Sequence, residues 1–162
     1  DAGSSAGTER FVVAARAAVE PAGRRRRTPS LPLGPAPGTN AAAVDCPDVD
    51  VLAHPGMLTL EEARTAAANS VYLEITSRFG HGLANGHVAR VAREAGAKLV
   101  LNTDTHTPDN MLDQETARRV AAAAGLDADG VYAATVTNPQ AAVRRAQVRL
   151  DAVSQLSVPH LS

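Results

Sequence analysis

The strongest constraint on this chain is a rhythm: three short apolar runs, each closed by a polar loop and each followed by a helical stretch. The runs are VDVLA (49–53), VYLEI (71–75) and KLVLN (98–102). The first stops at His54-Pro55-Gly56, the second at the loop TSRFGHG, and the third before Asp104-Thr105-His106-Thr107-Pro108. Thr59 with Glu62 three residues on is a capping box, opening a helix to about Asn69. Asn85 is the expected cap of a helix over 86–95 ended by Gly96, and a third helix near 113–124 ends at Gly125. A helical pair is expected over about 127–147. Strand and helix alternating with short connections predict an α/β fold, a parallel sheet of about three βα units with right-handed crossovers.

The chain changes character near residue 38. Residues 9–20 (ERFVVAARAAVE) carry Phe11, Ala14, Ala15 and Ala18 at helical spacing, which predicts a helix. Four consecutive arginines, Arg24 to Arg27, and a proline-dense stretch follow, and proline at that density blocks both helix and central strand. The expected organisation is a helix plus Arg/Pro-rich linker of little fixed order over 1–37, a domain over 38–147, and a tail over 148–162. The formal net charge is -1 and aromatics make up 2%, which argues against a nucleic-acid surface. No apolar run reaches the roughly 20 residues of a membrane helix. One cysteine, Cys46, excludes an internal disulfide and suits a reducing, cytoplasmic setting.

In parallel α/β architecture, ligands bind at the carboxyl ends of the strands. Each run here ends in a residue suited to metal or proton chemistry: His54 after the first, Glu74 in the second, and Asp104 and His106 after the third. Asp104 and His106 are separated by one residue, so in an extended chain both leave the same face and can converge on one cation. Oxygen and nitrogen donors without thiolates suit zinc, manganese or iron. Each residue also has a plainer reading. His54 can begin a Pro-Gly turn, Asp104 can cap a helix, Glu74 can pair with Arg78, and His81, His87 and His160 can be exposed surface histidines. Polar donors at the same end of three successive strands favour the metal reading.

The strings VDVLAHPG and VYLEITSRFGHGLANGHVARVAREAGAKLVLNTDTHTP resemble the late part of the polymerase and histidinol phosphatase (PHP) family, in its histidinol-phosphatase-like branch. The resemblance covers about residues 38–145 and rests on His-Pro-Gly after one strand and Asp-x-His after a later one. It implies the carboxy-terminal half of a distorted seven-stranded (β/α) barrel. His54, Asp104 and His106 then become metal ligands, with Arg78 and His81 as candidate phosphate contacts. Glu74 matches a position near the family's site without being a direct ligand. The implied activity is divalent-metal-dependent hydrolysis of a small phosphorylated substrate.

The family's early His-x-His and its first-half ligands have no counterpart, since residues 1–53 contain no histidine. The expectation is therefore an incomplete metal site with little or no phosphatase activity, and self-association through an open barrel edge at VDVLA. The competing expectations are a non-catalytic domain of the same fold with a degenerate metal site, and an unrelated (β/α) barrel enzyme.

Overall fold

The computed structural model describes residues 38–156. The helix expected over 9–20, the arginine run and His160 lie outside the described residues. Among residues 38–156 three strands form one parallel sheet in the order β1 (Val51–Leu52), β2 (Tyr72–Thr76), β3 (Leu99–Asn102). Among the described residues six α-helices accompany them: α1 (Thr39–Asp45), α2 (Leu60–Ala68), α3 (Asn85–Ala95), α4 (Gln114–Ala123), α5 (Ala128–Tyr132) and α6 (Asn138–Leu156). A π-helical turn over Ala133–Thr137 joins α5 to α6. None of these helices is long and apolar enough to cross a membrane.

The pairing register decides which side chains share a face. Glu74 stands opposite Val100 and Thr76 opposite Asn102; Leu73 stands opposite both Leu52 and Leu99. Leu52, Leu73, Ile75 and Leu99 therefore line one face, where they pack with Ala63 and Ala66 of α2 and Val88 and Ala92 of α3. The alanines keep these helices close to the sheet, so branched strand residues fill the space between. Glu74 and Thr76 face the other way and are nevertheless buried, at 1% exposure each.

Helix α6 closes the amino-terminal end of all three strands. Asn138 donates to the Leu99 carbonyl at 2.8 Å, and Arg145 to the Ser70 carbonyl at 2.6 Å. Arg149 donates to the Pro47 carbonyl at 2.9 Å and pairs with Asp50, which Arg145 also approaches at 3.2 Å. Beside α6 a cavity of about 530 Å³ opens, lined among others by Val100, Leu101, Met111 and Val143.

Several expectations are revised. The first strand keeps only Val51 and Leu52 of 49–53, and Leu52 is buried, so the apolar edge is shorter than expected. Helix α1 was not legible in TNAAAVD, which has neither apolar periodicity nor a side-chain cap. The last helix runs to Leu156, past residue 147, and Arg149 beyond that expected end donates to the Pro47 carbonyl beside the sheet. Asn85 does not cap α3; its amide clasps the end of β2 instead. The Thr59–Glu62 capping box and the left-handed Gly96 ending α3 are as expected.

Candidate metal centre at the carboxyl ends of the strands

Three loops leave the carboxyl ends of the strands, and each is fixed by specific side chains. The first is the His54-Pro55-Gly56 turn. His54 adopts φ 33°, a left-handed conformation that is costly for a residue with a Cβ and more so before proline. Its N–H donates to Oε2 of Glu74. The Pro55 carbonyl accepts from Asn40 of α1 at 2.9 Å, and the Leu58 carbonyl lies 2.6 Å from Nε2 of the half-buried His87. Side chains from α1, β2 and α3 thus hold one short turn.

The second loop carries Arg78 and His81. Asn85 grips the end of β2 with both ends of its amide: Oδ1 accepts from the Thr76 N–H at 3.0 Å and Nδ2 donates to the Thr76 carbonyl at 2.7 Å. Gly82 sits so close that a Cβ there would meet the Thr76 carbonyl at 3.0 Å. The Arg78 carbonyl accepts from the N–H groups of His81 and Gly82, which completes a tight turn. His81 is thereby placed with its ring 4.5 Å from that of His54, edge to face at 75°.

The third loop breaks from the sheet after Asn102. Asp104 adopts φ 47°, and beyond it Asn110 organises the chain by accepting from the Thr107 hydroxyl at 3.1 Å and the His106 N–H at 3.4 Å. The extended geometry that would put Asp104 and His106 on one face therefore does not apply. His106 is exposed, with Nδ1 at 2.7 Å from the Asp104 carbonyl and 2.5 Å from Nη1 of Arg78.

These loops bring His54, His81 and Asp104 together, with one ligating atom from each within 4.8 Å of the others. His106, expected from the resemblance as a ligand, is not in this group, although its Nδ1 lies 3.8 Å from Oδ1 of Asp104. Its place is taken by His81, expected from the resemblance only as a phosphate contact. Two imidazoles and a carboxylate suit a borderline divalent cation. A tetrahedral ion with ligands at about 2.1 Å needs donors about 3.4 Å apart, so modest closure of the loops would complete three-ligand coordination.

The electrostatics fit that use. Partial desolvation, then the His54 and Arg78 charges, lower the His81 pKa, while Asp104 pulls it upward. A lowered pKa favours the neutral imidazole, the form that binds metal. Arg78 does not pair with Glu74; its Nε lies 3.1 Å from Oδ2 of Asp104 and its Nη1 donates to the Asp104 carbonyl at 2.7 Å. Burial raises the Glu74 pKa, opposed by the His54 N–H bond and charge and by Asn102, and supported by Asp104. Among the described residues no hydrogen-bond partner reaches Oε1 of Glu74. The loops also carry exposed apolar side chains, Met57 in the first, Phe79 and Leu83 in the second, and Met111 after the third.

Among curated proteins, an uncharacterized protein of Methanocaldococcus jannaschii is 49% identical over 88 residues, covering 54% of this chain and 40% of that protein. The chain thus spans two-fifths of the length of the relative it matches. No family description matches the chain, and no solved structure matches it.

Proposed function

We propose that the chain carries part of the metal site of a phosphoesterase resembling the polymerase and histidinol phosphatase family, on about three βα units of a distorted (β/α) barrel. The observation that supports this most directly is the convergence of His54, His81 and Asp104 at the carboxyl ends of three parallel strands. Ligand sites in parallel α/β folds occupy that end.

When bound, a zinc, manganese or iron ion would lower the pKa of its water and polarise a phosphoryl oxygen. His54 and His81 would supply neutral nitrogen ligands and Asp104 a charged oxygen. Arg78, a third exposed beside Asp104, is placed to receive a phosphate oxygen on its planar guanidinium. The substrate class is a small phosphate monoester. Three protein ligands leave open coordination positions for water and substrate.

The second reading is a non-catalytic domain of the same fold, favoured by the Arg78–Asp104 ion pair, which neutralises the carboxylate without any metal. One experiment separates them: metal content after dialysis, followed by p-nitrophenyl phosphate hydrolysis in added Mn or Zn. Stoichiometric metal lost in both His54→Ala and Asp104→Ala supports the metal site, and any turnover lost with it supports the phosphoesterase; no bound metal in the wild type sinks the reading.

A further inference from the structure

Glu74 is a carboxylate at 1% exposure in the middle of a fully buried strand. Among the described residues one oxygen accepts the His54 N–H and the other has no hydrogen-bond partner. A branched apolar residue would suit a central strand better, and a buried charge with incomplete hydrogen bonding is unfavourable. Stability therefore does not explain the residue. Its bond to His54 does.

We propose that Glu74 is a positioning residue: by accepting the His54 N–H, it holds the His-Pro-Gly turn in the left-handed form that sets the His54 imidazole beside His81 and Asp104. The register makes the geometry explicit. Were β1 to continue past Leu52, Ala53 would stand opposite Glu74 and His54 opposite Ile75, with the His54 side chain committed to a face of the sheet. The chain instead leaves the ladder after Leu52 and turns at His54. The carboxylate offers that N–H an acceptor where the ladder ends. Asn40 and His87 fix later parts of the same turn, at Pro55 and Leu58, whereas among the described residues Glu74 alone hydrogen-bonds to His54. Outer-sphere contacts of this kind orient metal-binding imidazoles and tune their affinity. The consequence for affinity rests on the metal site proposed for this chain; the positioning itself does not.

The test compares the wild type with Glu74→Gln, which keeps an acceptor, Glu74→Asp, which is one methylene too short, and Glu74→Met, which has none. In metal-free protein, NMR should show a downfield, slowly exchanging His54 amide and a His54–His81 ring contact in the wild type and in Glu74→Gln. Both signatures should vanish in Glu74→Asp and Glu74→Met, with the urea midpoint of Glu74→Met unchanged or higher. Cobalt(II) affinity should fall by about 10–100-fold in those two variants and recover in Glu74→Gln. Glu74→Met retaining the ring contact and full cobalt affinity overturns the proposal, as does Glu74→Gln losing the amide signature. Should Glu74→Met fail to fold, Glu74→Asp decides the question by the same two signatures. A wild type that binds no cobalt sinks the metal reading alone, because the amide and ring signatures still decide the positioning.

Discussion

Replacing His54 by glycine should leave a more stable protein than replacing it by alanine, the reverse of the usual order. Both changes remove the imidazole and keep the N–H that Glu74 accepts, so their difference isolates the backbone. At φ 33° an alanine Cβ meets the following carbonyl, at a cost of about 1–2 kcal/mol. Glycine avoids that clash but loses more freedom on folding, by about 0.5–1 kcal/mol. The net advantage of glycine spans about 0–1.5 kcal/mol with a central value of about 0.75, or roughly 0.5 M in urea midpoint at a slope of about 1.5 kcal/mol/M. Asp104, at φ 47°, should show the same sign, because alanine and glycine there both abolish the Arg78 pair. An exposed interior position of α4, Arg118, is the control, where alanine should exceed glycine by about 1 kcal/mol. Equilibrium urea unfolding in EDTA measures all six variants. Alanine equal to or better than glycine at both 54 and 104 would refute left-handed strain at this site.

The site itself makes further demands. His81→Ala should weaken zinc or cobalt binding by at least about tenfold, whereas His106→Ala should change it by less than about threefold, as titration will show. Arg78→Met should raise metal affinity, since the guanidinium on Oδ2 of Asp104 competes with a cation; an unchanged or lower affinity contradicts that competition. The raised Glu74 pKa means the folded state keeps a proton that the unfolded chain releases above its ordinary value of 4.5. Stability is therefore lost as pH climbs from that value through the folded one, and Glu74→Gln should stabilise more at pH 8 than at pH 4 (by urea unfolding in EDTA). In the core, Ile75→Ala should cost about 2–5 kcal/mol, against about 0.5 or less for Val148→Ala on the exposed side of α6, by the same measurement.

Local signals in the sequence carried the fold further than they carried the site. The capping box at Thr59 and Glu62 and the glycine ending α3 depend on neighbours three or four residues away, so the sequence displays them. The three strands were recognisable because their apolar runs are short and bounded by turn residues. What could not be read depended on distant partners. Asn85 looks like a helix cap, but its amide satisfies the frayed end of β2 nine residues earlier. The docking of α6 involves Arg145 and Arg149 reaching carbonyls 75 and 102 residues away in sequence. At the site, His54 and Asp104 could be named because strand tips are where ligands collect. Alternation points to His106, but that rule ends where φ turns positive at Asp104. His81 sits in a loop with no periodicity, and only the Asn85 clasp and the close approach at Gly82 bring it to His54.

The two ends of the sheet differ in a way that bears on what the domain is for. At the amino-terminal end, carbonyls at 47, 70 and 99 receive side-chain donors from α6, and Asp50 is matched by two arginines. The left-handed residue there, Ser70, ends α2 in a local cap, with the Val71 N–H returning to the Ala66 carbonyl at 2.8 Å. At the carboxyl end two further non-glycine residues are left-handed, and among the described residues Oε1 of Glu74 has neither a hydrogen bond nor an ion pair, whereas Oδ1 of Asp50 at the other end, also without a hydrogen bond, lies 3.2 Å from Nε of Arg145. Such features persist where the surroundings over-determine them, and they cluster at binding sites. Arg78 neutralises Asp104 without metal, as a purely structural domain would require. Yet that ion pair relieves neither the backbone of His54 nor the orphaned oxygen of Glu74. A structural role accounts for Arg78, whereas a cation held by His54, His81 and Asp104 would give the strained His54 turn, and the carboxylate bonded to it, a common purpose.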